Sequence, residues 1–193
     1  SVLSCLKQKV YYVDFYQREY VWTKNTVEVL LNDIFYAFEI SYKEHRDEEM
    51  SQEVLEKYNW YYLNVFITNK VEGKVFIVDG QQRLSTLTLI ATKLYHITNN
   101  DNLKDILRDC IFAKDQFKGN VFCIDNDKRK NVMQCILDGT VYQDAYKNKT
   151  EETIIERYED ISKFIDDKRL DDVELTAFIY YFLNRLVLVE LSI

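Results

Sequence analysis

The 193-residue sequence contains no proline, where about 5% would be average, and the residues themselves offer no physical cause for it. Glycine is nearly as scarce, at four, so each one needs a reason. The four cysteines, Cys5, Cys110, Cys123 and Cys135, form no C-x-x-C pair, and the only histidines are His45 and His96. That pattern argues against a zinc site and for a reduced, cytoplasmic chain. No apolar run approaches the roughly 20 residues of a membrane span, and nothing resembles a signal peptide, so no membrane association is expected. The phosphate-loop pattern G-x-x-x-x-G-K-S/T is missing, which excludes a Walker-type nucleotide site. A net charge of −7 and a pI near 5.0 exclude wholesale coating of nucleic acid and leave room only for a local basic patch.

What is present is a globular composition, 47% apolar, in a chain long enough to bury a real core. The length suits one domain, or one domain with a helical extension. Residues 9–14, KVYYVD, read as a strand. A helical stripe of Val27, Leu30, Leu31, Ile34 and Phe38 predicts a helix over 25–44, with Asn25 and Glu28 as its capping box. The charged KEHRDEEMSQE reads as a solvated helix end or loop. Residues 59–68 and 74–79 read as strands paired in a hairpin through Gly73. Residues 81–97 alternate well enough for a strand, but their apolar stripe runs for about four turns, so length favours a helix. Further helices are predicted at 101–113, 127–138, 152–167 and 172–184, the last capped by Asp171 with Glu174. Gly119 and Gly139 are expected in turns between helices, DNDKRK at 125–130 as a solvated helix start, and Phe178, Tyr181 and Phe182 in the core. RLVLVELSI closes the chain as a strand. The fold class is α+β, a small mixed sheet with packed helices over residues 1–100. A helical extension over 101–193 follows, ending in a strand able to return to the core sheet.

Two stretches stand out. In VFIVDGQQRLSTLT, Asp79-Gly80 joins a predicted strand to a predicted helix. The first amides of a helix have no internal partner and carry partial positive charge, so they suit an anion. Arg83 in that first turn adds a planar donor fork for phosphate. Gln81 and Gln82 can each donate and accept, and Gly80 allows close approach of a ligand. Asp79 could hold Mg²⁺, orient Arg83 or cap the helix; the plainer alternative is a simple turn with Asp79 as N-cap. In YQREYVW, Tyr16, Gln17, Arg18, Tyr20 and Trp22 set a Gln-Arg pair among large aromatics. Such a group can stack a base and hold a phosphate, or the aromatics can simply be core.

Together, Tyr16-Gln17-Arg18, Tyr20, Trp22, Asp33-Ile34 and the intact DGQQR at 79–83 resemble the N-terminal domain of GmrSD-type enzymes, bacterial modification-dependent restriction systems. VFCIDNDKRKNVMQCILDG and FLNRLVLVEL continue the resemblance more weakly. It implies a ParB/sulfiredoxin-like fold whose DGQQR motif binds and hydrolyses a nucleoside triphosphate, with Mg²⁺, to license cleavage of modified DNA by a separate nuclease domain. On that resemblance Asp79, Gly80, Gln81, Gln82 and Arg83 form the site, approached by Tyr16, Gln17 and Arg18. Arg83 and Arg18 would neutralise phosphates, Gln81 or Gln82 orient the attacking water, and Asp79 bind Mg²⁺ or act as base. Tyr20 or Trp22 would stack the nucleobase. The other readings are a sensor that binds nucleotide or DNA without turnover, and a structural domain whose polar residues are caps. The sequence departs from the family at Asp14-Phe15, where a proline is usual, and at Leu63-Asn64, where a Leu-Gly pair is common. It ends just after the last strand, where family members continue with a helical segment. Neither histidine sits in a nuclease motif, and His96 is expected to be a surface or packing residue.

Overall fold

The computed structural model describes residues 1–14, 16, 17, 19–140, 142 and 148–193. In chain order the elements are α1 (Val2–Leu6), β1 (Tyr11–Tyr12), α2 (Lys24–His45), α3 (Gln52–Lys57), β2 (Tyr61–Val71), β3 (Lys74–Asp79), α4 (Gln81–Ile97), α5 (Asp101–Ile111), β4 (Phe112–Asp115), β5 (Gly119–Phe122), β6 (Ile124–Asp125), α6 (Lys130–Asp138), α7 (Lys149–Asp167), α8 (Asp172–Asn184) and β7 (Leu186–Ser192).

Five strands form a mixed sheet in the order β6-β1-β3-β2-β7. β1 runs parallel to β3 and β6, β2 is antiparallel to β3, and β7 is parallel to β2. The expected hairpin is present: Val71 pairs with Lys74 across Glu72 and Gly73, both at positive φ, as a tight two-residue turn requires. The last strand returns to the sheet, and β6 brings a second piece of the later chain to the opposite edge.

α4 is the central helix. It is buried nearly all round, from Gln81 and Leu84 through Ser85, Thr86, Thr88 and Thr92 to Leu94, and it packs on α5 and α7. Its hydroxyls make that burial possible. Thr86, Thr88 and Thr92 donate to the carbonyls of Gln82, Ser85 and Thr88 at 2.7–2.8 Å. The β-branched residues that mimic a strand pattern are thus satisfied inside the helix itself. On the other flank Phe35 of α2 stacks on Phe178 of α8 at 4.1 Å between centroids. Phe178, Tyr181 and Phe182 are fully buried, as expected.

Several expectations are corrected. The first strand is two residues long, not six. α2 is capped by Thr23, which accepts from the Thr26 amide, and not by Asn25. The charged stretch 43–53 carries the end of α2 and a loop, as expected, and an unforeseen short helix, α3, capped by Ser51 with Val54 and Leu55 buried, starts at its end. The helix begun at 101 stops at Ile111, and Phe112 starts a hairpin whose return strand begins at Gly119. Gly119 therefore lies in a strand turn, while Gly139 is the left-handed C-cap of α6. Asp171 does cap α8, accepting from the Glu174 amide. His96 is a packing residue, its Nε2 2.8 Å from the Ile136 carbonyl oxygen. Asn64 is exposed and sits at a register shift in the β2–β7 pairing.

The junction of β3 and α4 is the tightest point. Gly80 has φ +97°, and a Cβ there would stand 2.6 Å from Phe66 Cβ. Gly73 has φ +81° but open space around it. Both Gly→Ala changes strain the backbone, by about 1 kcal/mol or more. Gly80→Ala adds the collision, so urea unfolding should show it losing clearly more stability than Gly73→Ala. Equal losses would mean that Phe66 gives way and that the turn is not sterically fixed.

Candidate functional site

Gly80 is the N-cap of α4 and has no side chain with which to cap it. Asp79 instead accepts the Gly80 amide on its own Oδ1 at 2.9 Å. The plain alternative, Asp79 as N-cap, is therefore not what the structure shows. The first turn of this deeply buried helix, with a glycine at its N-cap, stands beside a cavity of about 550 Å³. Tyr16, Gln17, Trp22, Asp79, Gly80 and the Gln81–Arg83 turn line it.

Arg83 is half-buried. Its Nε is buried without an acceptor, and no carboxylate of a described residue lies within ion-pair distance. Its guanidinium lies 5.6 Å from the centre of the Trp22 ring. Burial pushes its pKa down, opposed by Asp79, Tyr61 and Tyr62. A cation held in this way gains from an incoming anion what its surroundings withhold.

Gln82 has a different task. Its Oε1 accepts the Val21 amide at 2.9 Å and its Nε2 donates to the Glu19 carbonyl at 2.7 Å. Both ends of the amide hold residues 19–21 against α4, so Gln82 positions that segment rather than a water. Tyr20 is also corrected. It is fully buried, its hydroxyl 2.8 Å from Thr86 Oγ1, and burial raises its phenol to about 12. It is a core aromatic and cannot stack a ligand. Trp22 is partly buried and borders the cavity, and Tyr16 is 90% exposed at its edge. Gln17 donates through Nε2 to the Ile77 carbonyl, while its buried Oε1 has no partner among the described residues. Arg18 lies outside the described residues.

Asp79 is the one carboxylate among the described residues lining the cavity. No group of three or more His, Cys, Asp or Glu among the described residues is placed to hold a metal ion. A Mg²⁺ would therefore take one ligand from Asp79 and the rest from phosphate oxygens and water, which is how this ion is commonly held.

With this geometry in view, the comparison with known families is decisive. All of residues 1–193 match the family described as GmrSD restriction endonuclease, N-terminal domain. The chain belongs to that family. No curated protein matches it. Among the described residues no helix is long and apolar enough to cross a membrane. Sequence reasoning missed two residues that shape this GmrSD N-terminal domain. Phe66 makes glycine necessary at position 80, and Arg129 reaches α4 from the second half of the chain. Phe66 lies outside the quoted motifs and Arg129 in the more weakly matching 121–139 stretch, and only the fold brings them near.

Gln82→Ala removes two hydrogen bonds to the 19–21 backbone. It should cost about 1–3 kcal/mol and, in hydrogen exchange, speed the Val21 amide without disturbing Leu84. An unchanged Val21 rate would refute the clamp.

Proposed function

We propose that the cavity at the β3–α4 turn binds the phosphates of a nucleoside triphosphate, and that the domain hydrolyses it. The observation that carries this reading is Arg83, a half-buried cation with no ion-pair partner among the described residues, at the N-terminal turn of α4 beside the cavity. Phosphoryl transfer needs mainly positioning and charge neutralisation. Arg83 and the α4 amides would supply the neutralisation, joined by Arg18 on the resemblance of its motif. Asp79 would hold Mg²⁺ against the phosphate oxygens or take the proton of the attacking water. Gln81 would orient that water, while Gln82 keeps residues 19–21 in place. With Tyr20 in the core, Tyr16 and Trp22 are the aromatics left to meet a nucleobase.

The family name places such domains in restriction endonucleases. In that setting the turnover would govern cleavage of modified phage DNA by a nuclease domain or subunit in the bacterial cytoplasm. A second reading, a sensor that binds nucleotide or DNA without turnover, is favoured by one observation: among the described residues the cavity offers a single carboxylate, with one oxygen already engaged by the Gly80 amide.

Thermal unfolding with each nucleoside triphosphate and Mg²⁺ tests the binding. At roughly 100 times its dissociation constant a ligand should add about 2.7 kcal/mol. That gain should vanish in a folded Arg83→Ala variant. Phosphate release by the parent supports hydrolysis; binding without release supports the sensor. No gain with any nucleotide would contradict both nucleotide readings.

A further inference from the structure

Arg129 is the most anomalous group in the molecule. It is only 4% exposed, yet no carboxylate of a described residue lies within ion-pair distance. Its Nη1 donates to Ser85 Oγ at 2.7 Å and its Nε has no acceptor. A buried charge is costly unless paired or fully hydrogen-bonded. The residue was expected on a solvated face, within DNDKRK; the fold buries it instead. Ser85 lies one turn beyond Gln81 on the same face of α4, so Arg129 reaches the buried side of the helix whose N-terminus carries Arg83.

Arg129 also borders a second cavity, of about 520 Å³, which shares the Gln17 wall with the first. It is the N-cap residue of α6, and no side chain caps that helix. Lys74 and Lys118, both exposed, stand at the rim. Four acidic residues line the same cavity and bear on its charge. Glu19 lies 3.9 Å from Lys128. Asp125 is half-buried, and burial followed by Asp127 raises its carboxyl towards the neutral form. Asp14 and Asp127 are exposed to water. The deepest charged group lining it is therefore a cation without a counter-ion among the described residues.

We infer that this second cavity is an anion subsite that takes a phosphate group, with Arg129 at its floor and Lys74 and Lys118 at its rim. The inference stands on Arg129 and its cavity, and only the source of the phosphate touches the nucleotide reading above. The source is either a nucleoside triphosphate extending past Gln17 from the first cavity, or a separate phosphate-bearing molecule.

The test is thermal unfolding with inorganic tripolyphosphate, which has neither base nor sugar. The proteins are the parent, Arg83→Ala, Arg83→Ala with Arg129→Met, and Arg83→Ala with Lys74→Ser and Lys118→Ser. Arg83→Ala should keep a concentration-dependent rise in Tm, because the second subsite is intact. Adding Arg129→Met should abolish the rise. The lysine changes touch only exposed side chains, so that variant should fold and should need several-fold more tripolyphosphate for the same rise. It decides the matter if the Arg129 variant does not fold. No rise in Arg83→Ala, or a rise equal in all variants, would overturn the subsite. A failed nucleotide reading looks different: nucleoside triphosphates would leave the parent unmoved while tripolyphosphate still stabilised Arg83→Ala. A nucleoside triphosphate shift weakened by Arg129→Met alone identifies one ligand spanning both cavities. A shift indifferent to Arg129→Met, beside an Arg129-dependent tripolyphosphate rise, identifies a separate phosphate source.

Discussion

The chain turns from β3 into α4 at Gly80, and Phe66 on the neighbouring strand leaves no room there for a side chain. This contact fixes where the helix begins. Because the N-cap residue is glycine, it brings no capping side chain of its own to the first turn of α4. Because α4 is buried nearly all round, its N-terminus cannot drift. The position of Arg83, the lining of the cavity and the path of residues 19–21 across the helix all follow from that junction. A rigid helix start with glycine at its N-cap is a pre-formed place for negative charge.

The surroundings of α4 are polar in a controlled way. Its threonines bond back to its own carbonyls, Tyr20 reaches Thr86, and Gln82 holds the 19–21 backbone. These groups meet their needs within the protein. Arg83 and Arg129 do not. Each is a buried or half-buried guanidinium with an Nε that no described group accepts. They approach the same helix from its N-terminal turn and from its buried face. Neutral polar groups thus hold the scaffold, while these two cations have no counter-ion among the described residues.

Much of this was readable in the sequence. The length of the stripe over 81–97 identified α4 despite its strand-like alternation, and Gly73 marked the hairpin. DGQQR pointed to the β3–α4 junction, because a glycine, a cation and two amides at a helix start have a shared physical use. Short elements were harder to read. β1 and β6 are two residues each and exist through pairing with β3 and with one another, so no local pattern announces them. A helix predicted to 113 overruns the start of the β4–β5 hairpin by two residues, because Phe112 and Ala113 are apolar and extend the stripe. Tyr20 and Trp22 looked alike in the motif, but one lies in the core and the other borders the cavity. Arg129 was hidden in a charged run, since burial of a single member cannot be read from composition.

An anion held at the α4 N-terminus would act first on the amides that surround it. The most direct measurement is the backbone amide resonances of Gln81, Gln82 and Arg83 during titration with a nucleoside triphosphate and Mg²⁺. These amides should shift first and furthest, while amides at the far end of α4, near Ile97, stay in place. Shifts confined to residues away from the β3–α4 turn, with these three amides unmoved at saturation, would contradict an anion held there.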